Sequence, residues 1–160
     1  MMKIKYIFLL FVGLLASSCQ LGQRTPCDPT PVVTNVPQSE VMALKQYIDS
    51  KGIKATADER GFYYSIQKPG SGAKPTICSN VTVNYKGTLT NGESFDSGND
   101  ISFGLNQLVL GWQVGIPLVA PGGSVTLYLP PSLAYGSQEQ SGIPANSILV
   151  FEIDLVKVSN

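Results

Sequence analysis

Aromatic and aliphatic residues recur in five short segments in the second half of the chain. The segments are residues 81–87, 91–97, 108–112, 133–136 and 148–152. The sequence has no histidine, which removes Ser-His-Asp and Cys-His arrangements and the commonest zinc ligand. It also has no phosphate-binding loop of the Gly-Lys-Ser/Thr type. We therefore expect no metal and no cofactor, and a dry, aromatic binding site.

Rotation about an X-Pro amide bond is a reaction that requires neither a nucleophile nor a metal. Its barrier is about 18–20 kcal/mol, because resonance gives the bond partial double-bond character. The twisted transition state has lost that resonance and has a less polar carbonyl, so an apolar pocket disfavours the planar amide relative to the twisted one. A millionfold acceleration requires about 8 kcal/mol, which packing, desolvation and one or two hydrogen bonds could supply.

Together the five segments resemble, in their order and spacing, those of the FKBP-type peptidyl-prolyl cis-trans isomerases. The resemblance covers residues 61–157 and implies both the activity and an apolar pocket for a proline ring. The substrate-binding residues that it implies are Phe95, Leu108, Val109, Trp112, Ile143 and Phe151. The catalytic residues that it implies are Tyr85, Asp96 and Tyr135.

The resemblance also implies a role for particular groups in this pocket. Trp112 would form the floor on which the proline ring rests, and Tyr85 would form part of the wall. The Tyr135 hydroxyl would bond to a substrate or ligand carbonyl, and the Asp96 carboxylate would lie beside the reacting amide. The backbone amide of Ile143 would contact the ligand. Proline-containing polypeptides are thus the implied substrates, and macrolide inhibitors are candidate ligands.

Two positions and one loop depart from the family pattern. Ile101 stands where the family has a second phenylalanine before the tryptophan, so we expect a less aromatic wall there and place Phe103 in the neighbouring core. Leu110 stands where exported relatives commonly have proline. The loop 137–142 is polar and matches the family poorly, which leaves substrate preference and macrolide affinity open.

Short strands around one short helix are the elements that must position these residues. Alternating apolar residues and turn signals predict strands at residues 62–66, 81–85, 93–96, 124–129 and 148–158. An Asn91-Gly92 turn should join the second and third strands, and the last strand should carry a bulge or a change of burial near Val156. A short or irregular helix is expected at 111–119, because Gly115 and Pro117 weaken it. The predicted fold class is α+β, a twisted antiparallel half-barrel sheet wrapping one short helix.

A further helix is predicted before the domain, over residues 39–51. Ser39 would cap it and Gly52 would end it. One face carries four apolar or aromatic residues, which are Val41, Leu44, Tyr47 and Ile48. We favour packing of this face on its own domain over a dimerisation arm, since a single helix this short is marginal alone.

The N-terminus has the features of an export signal. Lys3 and Lys5 precede an apolar stretch over residues 6–16, and small residues then precede Cys19. This order resembles a bacterial lipobox, which implies cleavage before Cys19 and lipid attachment to its thiol. An ordinary secretory signal is the alternative. Without those two lysines, nine basic and eleven acidic residues remain, about −2 in net charge and with no basic block, so we expect no nucleic-acid partner.

The predicted organisation has four parts. A lipoprotein signal peptide at 1–18 is followed by an extended tether at 19–37, a helix with its connection at 38–60, and the isomerase domain at 61–160. Cys27 and Cys78 either form a disulfide, as an exported protein permits, or remain free thiols. The predicted location is the bacterial cell envelope, lipid-anchored, with the domain in the periplasm or at the cell surface. The predicted function is isomerase activity that assists folding of exported proteins. The alternatives are a non-catalytic chaperone and a docking module of an envelope assembly.

Overall fold

Four strands follow the first α-helix and two follow the second in the computed structural model, which describes residues 27–159. The helices are α1 (Gln38–Ser50) and α2 (Leu110–Gly115). The strands are β1 (Thr56–Ala57), β2 (Tyr63–Lys68), β3 (Asn80–Leu89), β4 (Ser94–Gly104), β5 (Gly123–Leu129) and β6 (Leu149–Ser159). All pairings in the sheet are antiparallel, in the order β1-β2-β5-β6-β3-β4. The predicted fold class is confirmed.

The helix α2 lies against the middle of the sheet. Gly111 and Gly115 face β5, where a methyl group at either position would overlap the side chain of Leu129 or Leu127. These two glycines therefore allow the close approach that buries the neighbouring Trp112 and Ile116. The helix is as short as predicted, because it passes into a 3-10 turn at Ile116–Leu118 around Pro117.

Two local predictions for the sheet are confirmed. The Asn91-Gly92 turn joins β3 to β4, with Gly92 at a φ of +89°. The bulge lies at Val156, since Lys157 pairs with Thr82 while Leu155 pairs with the next residue, Val83. The alternation of β6 changes there, and Val156 is exposed.

Strand β4 runs well beyond the predicted 93–96, to Gly104. Four of the eight additional residues are polar and exposed, and Ile101 is exposed as well, because β4 is an edge strand that pairs only with β3. The apolar alternation on which strand prediction depends is therefore missing. The strand also carries an extra residue near Asp100, whose amide donates to Asn84 Oδ1 at 2.8 Å.

The N-terminal helix packs on its own domain, as favoured. Leu44 and Ile48 are buried, and Gly52 ends the helix at a φ of +61°. The predicted Ser39 cap is wrong. The helix begins at Gln38, and the preceding Pro37 carbonyl accepts the amide of Glu40 at 2.9 Å.

The described part of the predicted tether, 27–37, lies on the domain instead of extending away from it. A disulfide joins Cys27 to Cys78, with 5.6 Å between the Cα atoms, so the disulfide alternative is the one observed. Val32 and Val36 pack against the core, and Thr34 Oγ1 donates to the Arg60 carbonyl at 3.3 Å. The predicted signal peptide, Cys19 and residues 20–26 lie outside the described residues. Within 27–159, no helix is long and apolar enough to span a membrane.

Candidate active site

A cavity of about 160 Å³ opens between α2, β3, β4, β6 and the turn after β5. At about 30 Å³ per water molecule, this volume would hold roughly five waters, so it suits one ring-sized group. Its lining comprises Tyr85, Asp96, Phe103, Leu108, Val109, Trp112, Tyr135 and Phe151. All but Phe103 belong to the predicted site, so strands and loops far apart in sequence converge on this cavity.

Trp112 is held from three sides by other aromatic rings. Its ring centroid lies 5.2 Å from those of Tyr85 and Phe151 and 6.2 Å from that of Phe103, all in edge-to-face arrangements. Each such pair contributes about 0.5–1.5 kcal/mol beyond area burial. The indole is only 4% exposed, so α2 presents a fixed aromatic surface to the cavity.

The chain before α2 is fixed by Gln113, a residue that the sequence did not single out. Its Nε2 donates to the Leu108 carbonyl at 2.7 Å and to the Asn106 carbonyl at 3.4 Å. These bonds hold the segment in which Leu108 and Val109 reach the cavity. A side-chain bond of this kind has no signature in sequence spacing.

A polar pair lies within the otherwise apolar lining. The Tyr85 hydroxyl donates to Asp96 Oδ2 at 2.8 Å, and the Ser97 amide donates to Asp96 Oδ1 at 2.8 Å. Burial, reinforced by the hydrogen bond and charge of Asp96, raises the pKa of Tyr85 to about 12. Burial, and to a smaller extent the charge of Asp96, also raises the pKa of Tyr135. Both phenols are therefore neutral hydrogen-bond donors at neutral pH.

The ionisation of Tyr85 tests this polar pair. Asp96→Ala removes the acceptor and its charge, so the pKa of Tyr85 should fall from about 12 towards its ordinary value of 10.0. Because the pKa of Tyr85 is higher in the folded chain than in the unfolded chain, the protonated phenol contributes to stability below pH 10. That contribution to the free energy of unfolding is lost as the pH rises from 10 towards 12. An NMR titration of ring-labelled tyrosine measures the shift.

Asp100→Asn is the matched control for this titration, because it removes a charge on the same strand that does not contribute to the shift at Tyr85, and asparagine tolerates the φ of +53° at this position. Its Tyr85 should still titrate near 12. An unchanged pKa of Tyr85 in Asp96→Ala would show that the observed hydrogen bond does not exist in solution.

Two predicted site residues are not in the cavity lining. Phe95 lies behind it, packed edge-to-face on Phe151 with 5.5 Å between ring centroids. Ile143 is buried in the core cluster, and its amide donates to the Gln140 carbonyl at 2.9 Å. A substrate contact from that amide would therefore require the bond to Gln140 to open.

The expectation for Ile101 and Phe103 is corrected. Phe103 lines the cavity and packs on Trp112, whereas Ile101 is 40% exposed and lies outside the lining. The extra residue near Asp100 shifts the alternation of β4, which brings Phe103 opposite Val81 on the inner face. The cavity wall that was expected to be less aromatic therefore carries an aromatic ring.

The comparisons with known proteins agree with the fold. Residues 72–156 match the family model described as FKBP-type peptidyl-prolyl cis-trans isomerase. The FKBP-type peptidyl-prolyl cis-trans isomerase FkpA of Buchnera aphidicola (subspecies Acyrthosiphon pisum) is 40% identical over 73% of this chain and 49% of its own length. FkpA of Escherichia coli K12 is 38% identical over 71% of this chain and 43% of its own. The chain spans about half the length of the curated relatives it matches.

Solved structures give the same result. The crystal structure of Escherichia coli FkpA superposes with a TM-score of 0.69 at 35% identity, covering 76% of this chain and 60% of that one. A peptidyl-prolyl cis-trans isomerase from Pseudomonas syringae superposes with a TM-score of 0.68 at 28% identity, covering 79% and 99%. The chain belongs to the FKBP-type peptidyl-prolyl cis-trans isomerase family.

Proposed function

We propose that this chain is a peptidyl-prolyl cis-trans isomerase that assists the folding of exported proteins. The cavity floored by Trp112 is the observation that carries the proposal, together with family membership. Its lining combines a ring-sized apolar volume with the phenols of Tyr85 and Tyr135 and the carboxylate of Asp96. These groups suit rotation about an amide bond, a reaction with no covalent intermediate.

In the proposed reaction, the proline ring of the substrate rests on Trp112 between Val109 and Phe151. The apolar surroundings favour the less polar, twisted amide over the planar one. The Tyr135 hydroxyl donates to a substrate carbonyl, and its raised pKa keeps that proton in place. Asp96 holds Tyr85 and brings a negative charge to the pocket mouth beside the twisting amide.

A protease-coupled assay on an X-Pro peptide tests the activity. The full chain, solubilised in detergent, should convert the cis to the trans peptide well above the spontaneous rate. The uncatalysed conversion takes tens to hundreds of seconds. A rate equal to the spontaneous one, from folded protein, would contradict the proposal. A macrolide that occupies the same cavity should inhibit the reaction in competition with the peptide.

We further propose an extracytoplasmic location with a lipid anchor at Cys19. The disulfide between Cys27 and Cys78 supports an oxidising compartment, and the lipobox-like order of residues supports the anchor. Mass spectrometry of the purified N-terminus decides the matter. A diacylglyceryl-modified Cys19 supports the anchor, and a mature chain that begins at another residue contradicts it.

The non-catalytic alternatives have no observation in their favour. The family match covers residues 72–156, and the cavity keeps both phenols and the carboxylate that the reaction would use. A chaperone or docking module would require only the apolar part of this lining.

A further inference from the structure

The N-terminal helix reaches the turn that carries Tyr135 through a hydrogen bond across 92 residues of sequence. Glu40, in the first turn of α1, accepts the backbone amide of Ser132 on its Oε2 at 2.9 Å. Glu40 lies outside the residues that the family model matches, 72–156. The contact therefore joins a segment outside that match to the mouth of the candidate active site.

The peptide group between Pro131 and Ser132 connects this contact to Tyr135. Its N–H donates to Glu40, and its carbonyl, on Pro131, accepts the amides of Ala134 at 2.9 Å and Gly136 at 2.8 Å. Ala134 and Gly136 are the two neighbours of Tyr135. Because one rigid, planar unit carries both sets of bonds, an acceptor that fixes its N–H also fixes the carbonyl that holds the turn.

The Ser132 amide has no acceptor of its own within the turn. Residues Pro131–Leu133 form a 3-10 helix, and the first amides of such an element lack intrahelical acceptors. The Ser132 hydroxyl is buried and has no partner among residues 27–159, so the link runs through the backbone. Neither ion pair within those residues involves Glu40, which leaves its carboxylate available for this charge-assisted bond.

We propose that Glu40 is a positioning residue for the isomerase reaction, holding the Pro131–Ser132 peptide so that Tyr135 is fixed at the cavity. This inference rests on the proposed function, in which the Tyr135 hydroxyl contacts the substrate. It makes the N-terminal helix part of the active-site framework. A contact that merely fastened α1 to the domain would affect stability but not the Tyr135 turn.

Glu40→Ala should lower kcat/KM about tenfold, a factor at the low end for one hydrogen bond to a charged group. If Glu40 acts through Tyr135, the double variant with Tyr135→Phe should lose little beyond Tyr135→Phe alone, since coupled positions are not additive. Hydrogen exchange at the Ala134 and Gly136 amides should quicken by a similar factor. Glu40→Gln keeps an acceptor oxygen and should restore most of the activity.

Two matched variants isolate the contact. Asp49→Ala removes another carboxylate of α1, paired with Lys45 on the exposed face, and should leave kcat/KM and the exchange unchanged. Ser132→Ala keeps the backbone amide and should also retain activity. All variants are assayed as the full chain in detergent, at a temperature where circular dichroism shows each to be folded.

Unchanged exchange at Ala134 and Gly136 in Glu40→Ala would overturn the inference, as would faster exchange with unchanged kcat/KM. Losses that multiply in the double variant would overturn it as well. If Tyr135→Phe retains full activity, the role proposed for that hydroxyl fails. The inference that Glu40 acts through Tyr135 then fails with it, even if Glu40→Ala turns over more slowly. A folded wild-type chain without isomerase activity would contradict the proposed function itself.

Discussion

Replacing Trp112 by alanine is expected to lower the free energy of unfolding by about 3–5 kcal/mol, the usual cost of truncating a buried large aromatic residue. The same change should reduce kcat/KM by about 100-fold, as loss of the positioning surface for the reacting group can. The losses of stability and of activity have one origin, because Trp112 packs against three aromatic rings and also forms the floor of the cavity. Urea unfolding and the peptide assay measure them.

Phe62→Ala separates the loss of stability from the loss of the site. Phe62 is fully buried in the same core but does not line the cavity. The Phe62→Ala variant should therefore lose a similar free energy of unfolding, while the molecules that remain folded keep the wild-type kcat/KM. Trp112→Phe, which retains an aromatic ring, should fold and keep part of the activity. If Trp112→Ala and Phe62→Ala lost activity equally, the cavity would not be the active site.

Opening the disulfide between Cys27 and Cys78 is expected to lower the free energy of unfolding by about 2–4 kcal/mol. The bond closes a loop with a sequence separation of 51, and such a crosslink limits the conformational entropy of the unfolded chain. In the folded chain it also holds the segment whose Val32 and Val36 pack against the core. Urea unfolding with and without a thiol reductant measures the difference.

A double variant, with Cys27→Ala and Cys78→Ala, is the control for the reductant. Its stability should match that of the reduced wild-type chain and should not change further when reductant is added. Isomerase activity should be retained throughout, because neither cysteine lines the cavity. Equal midpoints for the oxidised and reduced wild-type chains would mean that the crosslink contributes nothing to stability.

Much of the fold followed from local signals in the sequence. The Asn91-Gly92 turn has one favoured backbone geometry, and the change in alternation after Leu155 indicated either a bulge or a change of burial, of which the bulge is observed. The cap of α1 was misjudged because Pro37, whose ring fixes its φ at −56°, caps the helix two residues before Ser39. The docking of residues 27–37 could not be predicted, since Val32 and Val36 show no periodicity in a stretch rich in proline and threonine.

The candidate site was predictable where each residue stands in a characteristic local segment, as Trp112 and Tyr135 do. It was not predictable where a register change decides which side chains face inwards. The extra residue near Asp100 moves Phe103 into the lining, and nothing in the composition of β4 marks that shift. Contacts between distant segments, such as that of Glu40 with Ser132, have no sequence pattern at all.

The rate of cis-trans exchange in a proline peptide at equilibrium tests the central claim most directly. Magnetisation-exchange NMR measures it without a coupled protease, using a catalytic amount of the chain. We expect exchange between the cis and trans resonances in the presence of the wild-type chain and about 100-fold slower exchange with Trp112→Ala. Exchange at the uncatalysed rate in the presence of the folded wild-type chain would contradict the claim that this aromatic cavity catalyses rotation about X-Pro bonds.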